Sequence, residues 1–107
     1  MRDAYHEQLD RVSDDLVEMT RLVGSAMNRA TQALLDADLQ LAESVIAGDD
    51  VIDAIASKVE ADCFQVSALQ QPVATDLRVI VAALRISASL ERMGDLAAHI
   101  AKSARLR

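Results

Sequence analysis

The sequence is poor in the residues that build sheets, disulfides and sharp turns. Its 107 residues include one cysteine, one proline, three glycines and no tryptophan, and aromatic residues make up 2%. The single cysteine, Cys63, excludes an internal disulfide and fits a reducing compartment. Few aromatic and turn residues disfavour a β-sheet, whereas abundant alanine and leucine favour helices. We therefore predict an all-α fold with residues 1–107 forming one domain.

Two further absences limit the function classes. Acidic residues outnumber basic ones by 17 to 11, and the formal net charge is −6. Because binding to nucleic acid needs clustered Lys and Arg, no nucleic-acid partner is expected. The chain also has neither a basic-then-apolar leader nor the uncharged apolar run of about 18 residues that spans a membrane. We expect a cytoplasmic protein that meets membranes only through its partners.

Helical periodicity predicts three long helices, at about 3–35, 38–70 and 73–105. In the first, apolar residues recur at spacings of three and four, which is typical of a helix packed lengthwise on others. Asp38 is suited to cap the second helix, and Pro72 fits the first turn of the third. Nearly equal lengths and tight turns near 36–38 and 70–72 predict an antiparallel up-down-up three-helix bundle.

Two pairs of acids, Asp49/Asp53 and Glu91/Asp95, each lie one helical turn apart in the second and third helices. Carboxylates at this spacing share a face and repel each other, although 17 acids in one chain give some such pairs by chance. Asp53 and Glu91 each lie 19 residues from Pro72, and Asp49 and Asp95 each lie 23 residues from it. In an antiparallel hairpin the two pairs therefore meet at one level.

Four carboxylates at one level repel strongly unless they are solvated or neutralised. A bound cation is the simple remedy, and an all-oxygen ligand set favours Mg, Mn, Ca or iron over zinc. The predicted ligands of a Mg, Mn or Fe cation are Asp49, Asp53, Glu91 and Asp95. Solvated acids on helix faces are the alternative. His99 lies one turn past Asp95 and is most simply a surface histidine. The alternative is that it binds the cation as a further ligand or donates a hydrogen bond to one of the ligands.

Basic side chains recur every seven residues along the third helix: Arg78, Arg85, Arg92 and His99. The simpler interpretation is a rim stripe that pairs with acids of a neighbouring helix. The other interpretation is a site for an anionic ligand or partner. No nucleophile with its base and no phosphate-binding loop is recognisable, so the residues do not indicate an enzyme.

Three stretches resemble the PhoU family of bacterial regulators of phosphate uptake: AGDDVIDAI at 47–55, QQPVATDLR at 70–78 and LERMGDLAAHIA at 90–101. The resemblance covers the whole chain in order. It implies one three-helix bundle of a family built from two in tandem, here similar to the N-terminal half. It also implies that the acidic motifs, Asp49/Asp53 and Glu91/Asp95 in this sequence, hold metal ions.

The same resemblance implies a non-enzymatic negative regulator of the phosphate-starvation response. Such a regulator contacts the ATPase of the Pst phosphate transporter and a PhoR-type sensor histidine kinase. Two alternatives from other classes are a metal-binding or metal-storage bundle and a metal-free helical interaction module.

The third helix is apolar on two opposed sides, and its own bundle covers only one broad side. One side carries Ile80, Leu84 and Ala88. The other carries Val79, Ile86, Leu90, Ala97 and Ile100. The second side is expected to form an exposed apolar strip. We therefore predict a homodimer packed two-fold about this helix.

Overall fold

Three long helices form the chain in the computed structural model, which describes residues 4–70 and 74–106, with side chains for 4–68 and 74–106. The helices are α1, Ala4–Asp36, α2, Leu39–Gln70, and α3, Ala74–Arg105. Each helix packs against both others, and the described residues contain no strand. The body measures 54 × 19 × 16 Å, so its long dimension is about one helix length. The predicted all-α three-helix bundle is confirmed.

The α1–α2 connection consists of Ala37 and Asp38. So short a link between helices of about 50 Å makes the two run antiparallel. The second predicted turn, at Pro72, lies outside the described residues. No described helix contains an apolar stretch long enough to cross a membrane.

Capping interactions define the α1–α2 turn. Ala37 adopts a left-handed conformation with φ 53°, and the Asp38 N–H then donates to the Ala33 carbonyl at 3.0 Å. This bond closes the carboxyl end of α1 in the manner of a Schellman motif. The Asp38 side chain in turn accepts a hydrogen bond from the Leu41 N–H at 3.0 Å. The capping role predicted for Asp38 is therefore confirmed.

Replacing Ala37 with glycine is expected to stabilise the chain by about 0.5–1 kcal/mol. A left-handed conformation costs an L-residue about 1–2 kcal/mol, and glycine avoids this cost while adding some entropy to the unfolded chain. Urea unfolding measures the change. Ala61→Gly, at an exposed interior position of α2, is the control and should destabilise by about 1 kcal/mol. Equal losses in both variants would contradict the role of the turn.

The core changes character along the bundle. Around its middle and towards the amino end of α1 it is built from larger side chains, with Met19, Ile52 and Val59 almost fully buried. At the α1–α2 turn it is built mainly from alanines: Ala26, Ala30, Ala33, Ala42, Ala97, Ala101 and Ala104. Small side chains of this kind allow helix axes to approach closely.

The predicted apolar strip on α3 needs correction. Leu90 is only 8% exposed and belongs to the core, as does Ala97, whereas Val79 and Ile86 are about half exposed. The actual core line of α3 is Ala83, Ser87, Leu90, Gly94, Ala97 and Ala101. Hydrophobicity alone does not reveal this line, because two of its members are serine and glycine. The prediction that Leu90 lies on the exposed side of α3 is therefore wrong.

Candidate metal centre

The four predicted ligands lie at one level between α2 and α3. The Asp49 carboxyl meets that of Asp95, and the Glu91 carboxyl meets that of Asp53. Oxygens of Asp49, Asp53 and Asp95 lie within 4.8 Å of one another. Glu91 contacts this group through Asp53 but contributes no oxygen to it. The equal distances from Pro72 thus correspond to real proximity, while metal binding itself stays a prediction.

Gly94 allows the two helices to approach at this level. It is buried in α3, and a Cβ added to it would lie 3.2 Å from Asp49 Oδ1 and 3.3 Å from two side-chain atoms of Ile52. Ile52, which is itself buried, lies next to the same glycine as the Asp49 carboxyl. Sequence reasoning missed this role, although an isolated glycine inside a strong helical pattern is a signal of close packing.

Burial and repulsion from neighbouring acids raise the pKa of two of the four carboxyls, Asp49 and Glu91. Burial raises the pKa of Asp49 to about 6, and the contact with Asp95 and the charge of Asp53 act in the same direction. Burial likewise raises the pKa of Glu91, with Asp53 as the next cause. None of the ion pairs among described residues brings Lys or Arg to these four acids. Within the described part of the chain, no Lys or Arg therefore neutralises these carboxylates through an ion pair.

Two carboxylate oxygens of the cluster, Asp49 Oδ1 and Asp53 Oδ1, are shielded from solvent without a hydrogen-bond partner. A buried polar atom left in this state costs about 1–3 kcal/mol. A cation would coordinate both atoms and remove that cost.

The donor set fits a hard cation. Oxygen ligands lie about 2.0–2.6 Å from Mg or Ca ions, so oxygens within 4.8 Å of one another can surround a single ion. Asp49, Asp53 and Asp95 would hold it, with Glu91 at the edge. Water or another chain would complete the coordination, because the described residues bring three protein oxygens close together.

The metal-free chain is expected to lose stability as the pH rises. Asp49 has a pKa of about 6 in the folded state against an ordinary value of 3.8, so the folded state binds this proton more tightly. The stabilisation is present below about pH 4 and is lost as the pH passes about 6. Two pKa units correspond to about 3 kcal/mol, and solvent screening of this partly exposed carboxyl reduces the expected change to about 1–2 kcal/mol. Urea unfolding with a chelator, at mildly acid and neutral pH, measures it. An Asp49→Asn variant with the same pH dependence would contradict this origin.

The remaining predicted residues lie away from the cluster. His99 is exposed and does not belong to the group formed by Asp49, Asp53 and Asp95, which agrees with a surface histidine. Arg78, Arg85 and Arg92 are also exposed, and none of them takes part in the ion pairs found among described residues. The interpretation as a rim stripe paired with neighbouring acids therefore has no support from the structure.

A groove of about 470 Å³ continues from the cluster along α2 and α3. Glu60 and Glu91 are among its lining residues, together with Cys63 and the exposed Phe64. Cys63 is buried, and burial raises the pKa of its thiol, as expected of a small core residue rather than a reactive one.

Comparison with known proteins identifies the family. The PhoU domain matches residues 16–104. The chain is 54% identical over all 107 residues to "Phosphate-specific transport system accessory protein PhoU homolog 1" of Mycobacterium leprae, covering 48% of that protein. It is 42% identical over 98 residues, 92% of this chain, to the PhoU homolog of Aquifex aeolicus, covering 44% of it. The chain spans about half the length of the curated relatives it matches. With most of its length matched by the domain, the chain belongs to the PhoU family.

Proposed function

We propose that this chain acts as a three-helix unit of a non-enzymatic regulator of phosphate uptake and that its carboxylate cluster binds a divalent or iron cation. The observation that carries the metal part is the meeting of two acid pairs across α2 and α3, with Asp49 Oδ1 and Asp53 Oδ1 buried and unpaired. Mg, Mn and Fe are the proposed ions, because the ligands are all oxygens.

The regulatory part is supported by the relatives, which are named as accessory proteins of a phosphate-specific transport system. We infer that the chain contacts the transporter ATPase on the cytoplasmic side of the membrane. Contact with a PhoR-type sensor histidine kinase, and repression of the phosphate-starvation response, follow from the family resemblance.

A pull-down with purified proteins tests the partner proposal. The chain, loaded with Mn²⁺ or Fe²⁺ or treated with chelator, is presented separately to the transporter ATPase and to the cytoplasmic part of the kinase. Retention of either partner supports a regulator that acts by direct contact with other proteins. If neither partner is retained under any metal condition, the proposed contacts of this half are wrong.

A metal-storage bundle is the second candidate, and the acid cluster is the observation that favours it. The two functions differ in stoichiometry. A regulator with the site described above retains a small, fixed number of ions per chain, whereas a storage protein continues to take up iron well beyond its ligand set. Metal analysis after gel filtration, with increasing iron in the loading step, distinguishes the two.

The homodimer stays a prediction, but the surface predicted for its contact is corrected by the structure. Because Leu90 and Ala97 lie in the core, the side of α3 predicted for the contact is not available, and a dimer would have to form through another surface of the chain. Light scattering coupled to gel filtration at micromolar concentration measures the oligomeric state. A stable monomer of 11.6 kDa would contradict the prediction.

A further inference from the structure

The first half of α3 exposes large apolar side chains that its own bundle leaves uncovered. Four of them are between 40% and 50% exposed: Leu77, Val79, Val81 and Ile86. Two depressions accompany them, one of about 620 Å³ along the outside of α3 and one of about 220 Å³ between α1 and α3. Ile86 lines both. Exposed large apolar side chains grouped on one helix in this way favour an interaction site.

Arginines cross the same surface in a straight row. On a helix with 3.6 residues per turn, Arg78, Arg85 and Arg92 point in nearly the same direction and lie about 10 Å apart along the axis. All three are exposed, and no ion pair among described residues includes them. Arg78 and Arg85 line the larger depression beside Leu77 and Val81. In a chain of net charge −6, this row is a local concentration of positive charge.

We call the surface formed by Leu77, Arg78, Val81, Arg85, Ile86 and Arg92 the α3 outer face. We propose that the α3 outer face binds an acidic amphipathic helix of another protein. The complement of an arginine row at seven-residue spacing is a row of carboxylates at the same spacing. Apolar residues beside those carboxylates would pack against Val81 on one side of the row and Ile86 on the other, so the partner helix lies lengthwise along α3.

Charge argues against a second copy as the occupant. A two-fold contact centred on this face would place the arginine row of one chain next to the same row of the other. Like charges brought together in a partly dehydrated interface repel. An acidic partner removes this repulsion.

The arrangement of charge also argues against a lipid surface. Helices that lie in a membrane interface keep their basic residues on the polar face, away from the apolar one. Here Arg78 and Arg85 lie between Val81 on one side and Ile86 on the other, so insertion into the acyl region would bury the guanidinium groups. A protein helix can supply carboxylates at those positions.

A designed peptide tests the proposal. The probe is a fluorescent amphipathic peptide of about three heptads, with leucines on its apolar face and glutamates at seven-residue intervals, measured by anisotropy against the whole chain. Arg85→Glu should weaken its binding about tenfold. A second peptide with lysine at each glutamate position should instead prefer the Arg85→Glu variant. Arg11→Glu, an identical charge change at an exposed position on α1, should leave both affinities unchanged.

Three results would overturn the proposal. The first is no saturable binding of the glutamate peptide at millimolar concentration, or binding that Arg85→Glu leaves unchanged. The second is binding of the chain to vesicles containing phosphatidylglycerol that Arg85→Glu abolishes, which would make the face a lipid surface. The third is self-association that the same substitution abolishes. Because the peptide assay needs no metal and none of the proposed partners, its failure would leave the proposed function standing.

Discussion

Replacing Asp49 and Asp95 together with asparagine is expected to abolish retention of Mn²⁺ or Fe²⁺ by the purified chain. The two carboxyls meet across α2 and α3 and supply two of the three oxygens that lie within 4.8 Å of one another. Loss of both leaves too few charged oxygens for a hard cation, which binds mainly through carboxylates. Calorimetric titration and metal analysis after gel filtration measure the loss, while circular dichroism verifies the fold.

The control for this result is Asp10→Asn combined with Asp14→Asn. The two replacements make the same total charge change, but both acids are exposed on α1. The control should retain metal at the parent stoichiometry. Equal loss in both double variants would mean that net charge, rather than the α2–α3 cluster, holds the ion. Full retention in the Asp49/Asp95 variant would mean that the ion binds elsewhere.

Substitution of Glu91 tests which end of the carboxylate cluster holds the ion. It touches Asp53 but stands outside the close group of three oxygens. Glu91→Gln alone is therefore expected to weaken metal binding by less than Asp49→Asn alone, and calorimetry measures both. The opposite order would show that the ion lies between Asp53 and Glu91, at the end of the cluster that faces the groove along Cys63 and Phe64.

The fold was predictable because the helices follow simple rules. The α1 stripe predicted from spacing is buried in the structure, with Met19, Ala30 and Ala33 almost fully inaccessible. Asp38 could be assigned as a cap because short polar side chains satisfy the orphan N–H groups of a first turn. Counting residues from Pro72 then fixed the α2–α3 register, since both helices rise by the same distance per residue.

The orientation of α3 could not be predicted in the same way. Its core line includes Ser87 and Gly94, while large apolar residues such as Ile86 and Leu77 stay exposed. Hydrophobicity therefore points away from the true core direction on part of this helix. Ser87 is accommodated because its hydroxyl contacts the Met19 sulfur at 3.8 Å. Only the tertiary contacts show that Ser87 and Gly94 share the core face of α3 with Ile80 and Leu90.

Gly94→Val is expected to destabilise the chain by about 3 kcal/mol and to weaken metal binding as well. A Cβ at this position already lies 3.2 Å from Asp49 Oδ1 and 3.3 Å from Ile52, and the two methyl groups of valine would enter the same space. Such overpacking costs about 1–3 kcal/mol or more, and valine gains back only a few tenths from better helix propensity than glycine. Urea unfolding with chelator measures the stability, and calorimetry measures metal affinity.

Gly24→Val supplies the matched control, because the same substitution is made inside a helix where nothing lies within 4 Å of an added Cβ. Its stability should stay within about 0.5 kcal/mol of the parent, and its metal affinity should be unchanged. The difference between the two variants then isolates the close approach of α2 and α3 from the general effect of replacing glycine. If Gly94→Val is as stable as Gly24→Val and binds metal equally well, the helices can separate without cost. In that case Gly94 would not be the residue that sets the spacing of the carboxylates.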